Sequence, residues 1–213
     1  MLAIAYKEWL DKIESENRDH PGYNSSSGEF YLDIVSNLLW IQKGLCAYTE
    51  HFLCDHSQLG PEQWKDGRYG QSKYGFLGQL EHYDESLKPA KGWLWSNFFV
   101  VDTDINAKNK KRRPVKYALK PDADNYDPFF LLQYDIRTHH FLPNENRDIS
   151  LQENILHDIN VLGLNFQPII TDRREILNPL IEEVKYKRKT IEEARLSLRE
   201  YFTAFEMMLQ SLV

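Results

Sequence analysis

Residues 79–113, QLEHYDESLKPAKGWLWSNFFVVDTDINAKNKKRR, are the stretch of this 213-residue chain that decides its fold. An acidic residue and a histidine stand side by side at Glu81 and His82. Asn97 lies 15 residues after the histidine, and Asn106 lies 9 residues further on, directly before a run of lysine and arginine. One short segment thus combines a base, oxygen ligands and cations, and we expect the chemistry of the protein there.

The same stretch alternates between strand and loop patterns and ends in a helix pattern. It predicts a short strand at Gln79–Tyr83, then a loop, and a second strand at Asn97–Val101, where aromatic and β-branched residues are concentrated. Thr103 or Asp104 is predicted to cap a helix that runs to about Arg113, where a proline stops it. The predicted order is therefore strand, loop, strand and helix.

Four side chains of this segment match the needs of phosphodiester hydrolysis, which are an activated water, a cation near the phosphate and a positioned base. A neutral histidine can accept a proton from water, which makes His82 the candidate general base. Carboxylate and amide oxygens are ligands for Mg²⁺, so Glu81 and Asn106 are the predicted metal ligands, with Mn²⁺ or Zn²⁺ as alternatives. Asn97 opens the second strand and is predicted to hold the loop that carries His82.

The basic run after Asn106 is the predicted nucleic-acid contact. The chain as a whole has a formal net charge of −6, which argues against indiscriminate coating of nucleic acid but permits one basic face. Taken alone, such a run is more often a solvated helix face, and its position directly after Asn106 favours contact with phosphates. The predicted contact residues are Lys108, Lys110, Lys111, Arg112 and Arg113.

The whole sequence predicts an α+β fold that is mostly helical and has three parts. Residues 1–45 are predicted to form an N-terminal helical segment, residues 46–120 the core that contains the quoted stretch, and residues 121–213 a mainly helical region that packs with the core as one domain. Residues 55–78 are rich in glycine and polar side chains and are predicted to form a long exposed loop.

Two helix starts are predicted in the C-terminal region. Ser150 followed by Glu153 indicates a capping box and a helix through about Leu162. The Asn178–Pro179 pair is predicted to begin a second helical stretch, and the apolar residues within 191–212 recur there at helical spacing. That apolar face can pack within the chain or against a partner.

The cysteines and the N-terminal residues bear on the cellular compartment. The sequence contains two cysteines, Cys46 and Cys54, and it turns polar after six residues, which is not the pattern of a secretory leader. No run of about 18 apolar residues predicts a membrane span. We therefore expect reduced thiols, a cytoplasmic protein and no membrane partner.

In these motifs the chain resembles HNH endonucleases, which have a ββα-metal core, and in particular the nuclease subunit of Septu anti-phage systems, a type also seen beside some retrons. The pattern of that family runs C-x-Y-C-E, then E-H, then W-x-N, then C-x-x-C-N. The corresponding residues of this chain are Cys46-Ala47-Tyr48-Thr49-Glu50, Glu81-His82, Trp95-Ser96-Asn97 and Asp102-Thr103-Asp104-Ile105-Asn106. The resemblance covers roughly residues 40–175.

The resemblance implies a metal-dependent endonuclease that acts on DNA, with the roles given above for Glu81, His82, Asn97 and Asn106. It also implies an ATPase partner that controls cutting, and a role in antiviral defence. The predicted loop at 55–78 and the C-terminal helix are the candidate contacts with that partner.

The chain departs from the family at the structural zinc site. The family supplies four cysteines there, whereas this chain has Thr49, Asp102 and Ile105 at three of the positions. A zinc site of four thiolates cannot form from Cys46 alone, so we expect this zinc to be absent. Packing is expected to hold the motif instead, through Trp93, Trp95, Phe98 and Phe99.

Three alternatives remain open from the sequence. The chain can be an HNH-fold subunit that binds nucleic acid or a partner and no longer cleaves. It can cleave RNA, such as tRNA, because the motif attacks phosphodiesters in general. A replacement zinc site is the third alternative, with the spacing C-x₄-H-x₂-C-x-H formed by Cys46, His51, Cys54 and His56.

Overall fold

The structure is a computed structural model that describes residues 2–16, 18, 28–70 and 77–212. It is an α+β protein with small two-stranded antiparallel sheets, which confirms the predicted class. The described helices and strands are α1 (Ile4–Ser15), α2 (Tyr31–Ile41), β1 (Trp64–Lys65), β2 (Arg68–Tyr69), β3 (Gly78–His82), α3 (Lys88–Lys91), β4 (Phe98–Asp102), α4 (Pro128–Leu131), β5 (Leu132–Asp135), β6 (His140–Pro143), α5 (Ile149–Leu162), α6 (Gln167–Lys185), α7 (Ile191–Ser197) and α8 (Phe202–Gln210). No described helix has the length and apolar character needed to cross a membrane.

The chain divides into two compact units. The first comprises the described residues of Met1–Ala47, Leu53–Asn106 and Arg112–Pro114. The second comprises the described residues of Tyr48–Phe52, Ala107–Lys111 and Val115–Val213.

The β3–β4 hairpin is the centre of the first unit. Its register pairs Gly78 with Asp102 at one end and His82 with Phe98 at the other. Helix α2 contacts both strands, and the side chain of Gln42, just after α2, bonds to the backbone of β4 through Val100 N–H and C=O at 3.0 and 2.8 Å. The two strands predicted from the sequence are confirmed, each displaced by one residue.

Aromatic side chains fill the space between α1 and the hairpin. Tyr6 of α1 is fully buried and donates its hydroxyl to the carbonyl of Trp93. Ring centroids are 5.7 Å apart for Trp9 and Trp93, 5.9 Å for Tyr6 and Trp95, and 6.5 Å for Trp93 and Phe98. The expected aromatic packing is present, and rings of α1 take part in it.

A hairpin and two 3₁₀ turns occupy much of the predicted long loop, so that prediction is wrong for the described part. Asp66 and Gly67 form the turn between β1 and β2, both with positive φ (51° and 72°), which is the backbone that an Asp-Gly pair favours in a two-residue hairpin. The Asp33 carboxylate of α2 accepts from Tyr69 N–H at 2.8 Å and fixes the hairpin to the helix. Residues 71–76 of the predicted loop lie outside the described residues.

The helix predicted after β4 is shorter and wider than expected. The Asp102 side chain accepts from the backbone N–H of Asp104 and Ile105 at 2.8 and 3.1 Å, so the cap precedes both predicted positions, Thr103 and Asp104. A π-helical segment follows at Ile105–Lys110, and it ends at Lys111, whose φ is 51°. The continuous helix to Arg113 is therefore wrong, because the backbone turns out of helical conformation two residues earlier.

In the second unit the β5–β6 hairpin contacts α5 and α8. The fully buried Arg173 of α6 donates Nη2 to the carbonyls of His139 and Leu164 at 2.6 and 3.1 Å. Its guanidinium lies 4.8 Å from the ring centroid of Phe141. A buried arginine paired with carbonyls and a ring thus joins α6 to the sheet.

Three helix boundaries in this unit differ from prediction. Asp148, rather than Ser150, caps α5 by accepting from Leu151 N–H at 2.9 Å. Pro179 lies inside α6 instead of beginning a helix. The apolar stripe within 191–212 is divided between α7 and α8, because Tyr201 between them has a left-handed backbone with φ of 60°.

Candidate functional site

His82 is the last residue of β3, and its ring is fixed by a backbone carbonyl. Its Nε2 lies 2.8 Å from Gly92 O, and its ring centroid lies 4.9 Å from that of Phe98. A carbonyl oxygen only accepts, so we infer that Nε2 carries a hydrogen. The nitrogen that accepts a proton in the neutral ring is then Nδ1. The side chain is 2% exposed, so the surrounding residues cover it almost completely.

Asn97 joins the two ends of the connection between β3 and β4. Its Oδ1 accepts from Asp84 N–H at 2.8 Å, its Nδ2 donates to Asp84 C=O at 2.9 Å, and its own carbonyl accepts from Tyr83 N–H at 2.8 Å. Because Tyr83 and Asp84 directly follow His82, these three bonds fix the backbone on the C-terminal side of the histidine.

Glu81 and Asn106 belong to one face of the hairpin. The register from Gly78 to His82 is regular, so consecutive side chains alternate and Glu81 shares a face with Gln79. Asn106 Nδ2 lies 3.4 Å from Gln79 Oε1, which places the amide on that same face. The ring of His82 belongs to the opposite face. The two predicted ligands, Glu81 and Asn106, thus lie on one side of β3, and the predicted base, His82, lies on the other.

The donor set of this face fits a hard divalent ion in its chemistry. Glu81 offers a carboxylate, and Asn106, whose nitrogen is directed at Gln79, offers its amide oxygen. Glu81 is 2% exposed, and a cation would stabilise a carboxylate that is so well covered.

The positions that correspond to the zinc cysteines of the HNH pattern do not fit that metal in this chain. The Cys46 sulfur accepts from Asp102 N–H at 3.4 Å, and the Asp102 carboxylate caps the π-helical segment. Ile105 is fully buried and offers no ligand atom. The Cys46 thiol and the Asp102 carboxylate are therefore both engaged in hydrogen bonds with the backbone.

The structure contradicts the alternative of a replacement zinc site formed by two cysteines and two histidines. His56 stacks on Trp40 with ring centroids 4.0 Å apart, and its Nε2 lies 3.1 Å from the Trp40 carbonyl. Burial, followed by the nearby charge of Asp55, raises the pKa of the Cys54 thiol to about 11. His51 lies instead with carboxylates from other segments.

The basic run is mostly exposed, with one exception. Lys108, Lys111, Arg112 and Arg113 have exposed side chains, whereas Lys110 is fully buried. A phosphate cannot reach a fully covered ammonium group, so Lys110 does not belong to the contact set predicted from the sequence.

An open cleft of about 600 Å³ lies beside the loop that follows His82. Arg112 and Lys88 supply positive charge to it, and Glu85 lies 3.5 Å from the Lys88 ammonium group. The described residues that line the cleft are Asp84, Glu85, Ser86, Lys88, Pro89, Arg112 and Pro114.

One group of metal-ligating side chains was missed in the sequence. Among the described residues, His51, Asp172 and Glu200 form a group whose ligand atoms all lie within 4.8 Å of one another. The three residues are far apart in the chain, so no local spacing signals their convergence. The sequence pattern indicated His51 only as a possible zinc ligand together with the two cysteines.

No protein-family model matches the chain, and no curated protein matches it at a significant level. The resemblance to HNH endonucleases therefore rests on the motif residues themselves.

Proposed function

We propose that the protein is a metal-dependent endonuclease of the HNH type that hydrolyses phosphodiester bonds in DNA. The observation that supports this most is the bond of 2.8 Å between His82 Nε2 and Gly92 O. It orients the ring and directs proton acceptance to Nδ1, which is what a general base requires.

In this proposal His82 takes a proton from the water that attacks the phosphorus. Asn97 is a positioning residue, because its three bonds hold the backbone of Tyr83 and Asp84 directly after the base. The Gly92 carbonyl, the His82 ring and the loop at residues 83–84 lie together at the end of β3, so a displacement of this loop would change the orientation of the ring.

Glu81 and Asn106 would hold the divalent ion, with Mg²⁺ preferred on ligand hardness and Mn²⁺ or Zn²⁺ as the other choices. When bound, such an ion neutralises charge on the phosphate and on the leaving oxygen. Glu81 and His82 are each 2% exposed and their side chains belong to opposite faces of β3, so the proposed reaction requires a rearrangement that brings the base and the ion to one phosphate.

The exposed cations that follow Asn106 along the chain are proposed to contact the DNA backbone. They are Lys108, Lys111, Arg112 and Arg113. The resemblance to the Septu nuclease subunit further supports an ATPase partner that controls cutting and a role in defence against phages.

The proposal is tested with purified protein, supercoiled plasmid and Mg²⁺ or Mn²⁺, with tRNA as a parallel substrate and with or without the proposed ATPase partner. Metal-dependent nicking or linearisation of plasmid, abolished by a chelator, is the expected result. Cleavage of tRNA without plasmid cleavage would move the assignment to an RNA nuclease.

A second candidate function is an HNH-fold binding subunit that does not cleave. The near-complete burial of Glu81 and His82 favours it, because a catalytic base must meet water. DNA binding by the complex in a mobility-shift assay, with no cleavage under any metal or partner condition, would select this candidate.

A further inference from the structure

Three distant segments of the second unit meet at His51, Asp172 and Glu200. His51 Nδ1 lies 2.9 Å from Glu200 Oε2 and 3.5 Å from Asp172 Oδ2. His51 belongs to the segment Tyr48–Phe52, Asp172 lies on α6, and Glu200 directly precedes the residue that caps α8. The three side chains are 25%, 41% and 13% exposed, so a solute can reach them.

Three oxygen atoms surround the Nδ1 nitrogen of His51. Besides the two carboxylates, the Tyr201 hydroxyl lies 3.0 Å from His51 Nδ1, and it donates to Asp172 Oδ2 at 2.7 Å. A ring nitrogen carries either one hydrogen or one lone pair. Because the Tyr201 hydroxyl donates to Asp172, the hydrogen of Nδ1 is donated to Glu200, and one imidazole then lies between two carboxylates.

A divalent cation would supply the positive charge that two neighbouring carboxylates favour. In its presence Nδ1 would coordinate through its lone pair, and Glu200 and Asp172 would each offer an oxygen. The two Nδ1–oxygen distances of 2.9 and 3.5 Å lie in the range spanned by two ligands that are each about 2.0–2.2 Å from one metal, and all three ligand atoms lie within 4.8 Å of one another.

The backbone also fixes the ligand oxygen of Glu200 and the two segments that carry His51 and Glu200. Glu200 Oε2 accepts from Phe52 N–H at 2.8 Å, which fixes the carboxylate relative to the residue after His51. Glu50 and Tyr201, which flank two of the ligands, both have left-handed backbones, with φ of 58° and 60°. Tyr201 N–H donates to Glu50 C=O at 3.2 Å, so the two ligand-bearing segments are joined directly.

We propose that His51, Asp172 and Glu200 form a binding site for a divalent transition-metal ion of the zinc class. One imidazole and two carboxylates suit Zn²⁺ or Mn²⁺, whereas Mg²⁺ favours sites made of oxygen alone. Three protein ligands leave further coordination positions to water. The ion ties the segment Tyr48–Phe52 to α6 and to the start of α8. This site is independent of the proposed nuclease function, whose base and metal ligands lie in the first unit.

The test uses the full chain with Glu81→Gln and Asn106→Ala, so that zinc binding reports the new site alone. Metal-stripped protein is titrated with ZnCl₂ by calorimetry, and its melting temperature is measured with and without zinc. One zinc per chain and a higher melting temperature with zinc are expected. The proposal is overturned if the folded protein binds no zinc at micromolar concentrations, irrespective of the results with the ligand variants.

Glu200→Gln and Asp172→Asn then identify the ligands. Each keeps the shape of the side chain and removes its charge, and in Glu200→Gln the new amide oxygen can still accept from Phe52 N–H. Loss of an indirect partner already weakens metal binding about 10–100-fold, so loss of a direct ligand should weaken zinc binding by at least about 100-fold. Glu175→Gln makes the same change in charge at an exposed position of α6 and should leave affinity within about twofold.

Equal zinc affinity in Glu200→Gln, Asp172→Asn and Glu175→Gln overturns the assignment of these ligands. A cobalt(II) titration gives a second readout, because the visible absorption of the bound ion depends on its ligands. A spectrum in Glu200→Gln unchanged from that of the parent protein would have the same meaning.

Discussion

Replacing Asn97 with alanine tests whether this side chain holds the loop beside the histidine. Asn97 is 3% exposed and bonds to both backbone groups of Asp84, at 2.8 and 2.9 Å. Each such bond contributes about 1 kcal/mol net, and a buried polar group left without a partner costs more. Asp84 is only half-buried, so water can replace part of the loss. We expect Asn97→Ala to lower the free energy of unfolding by about 2 kcal/mol.

For a chain of this length, a loss of about 2 kcal/mol corresponds to a melting temperature lower by roughly 4–8 °C. Thermal and urea denaturation followed by circular dichroism measure both quantities. Asn146→Ala is the matched control, because Asn146 is exposed and its substitution should change stability by less than about 0.5 kcal/mol. If Asn97→Ala behaves like this control, the two bonds do not hold the loop, and the positioning role is refuted.

Two further predictions concern the stability of the protein, one for a residue in each unit. Gly67→Ala places a Cβ 2.8 Å from Ile4 Cβ at a φ of +72°. It should therefore lower the free energy of unfolding, measured by urea denaturation, by at least about 1–2 kcal/mol. Gly70→Ala is the control, because its Cβ would lie 3.3 Å from the nearest atom and its cost should be much smaller. Equal effects of the two glycine substitutions would contradict the close approach. Burial is the main cause that raises the pKa of Glu50 above its usual 4.5, so the stability that this carboxyl contributes is complete below pH 4.5 and is lost as the pH rises through the folded-state pKa. Glu50→Gln should therefore gain stability relative to the wild type as the pH rises from 4.5, and a difference that stays constant with pH would be the opposite result.

Local sequence patterns were sufficient for the hairpin that carries the candidate site. The aromatic and β-branched residues after Asn97 predicted β4, because such residues place their side chains in the core, and a short strand was predicted beside it at Gln79–Tyr83. The Asp66–Gly67 hairpin could also have been predicted, since that pair is a strong turn signal. It was missed because the glycine-rich composition around it resembles a loop.

Other features depend on contacts that no local pattern contains. The helix predicted to reach Arg113 ends earlier because Lys111 adopts a positive φ, which a lysine-rich sequence does not signal. Lys110 was expected at the surface with its neighbours and is buried, because the π-helical turn changes which side chains face inward. The meeting of His51 with Glu200 joins residues far apart in the chain, so it became visible only in the fold.

The most direct test of the nuclease assignment is the cleavage rate of His82→Ala on plasmid DNA, measured with Mg²⁺ and with the proposed ATPase partner present. His140→Ala serves as the control, because it removes another imidazole that bonds a backbone carbonyl, that of Thr138 at 3.1 Å. Loss of a general base lowers a rate by about 10²–10⁴-fold, so the account predicts a decrease of this size in His82→Ala and none in His140→Ala. Cleavage by a folded His82→Ala protein at the rate of the wild type would contradict the assignment of His82 as the base.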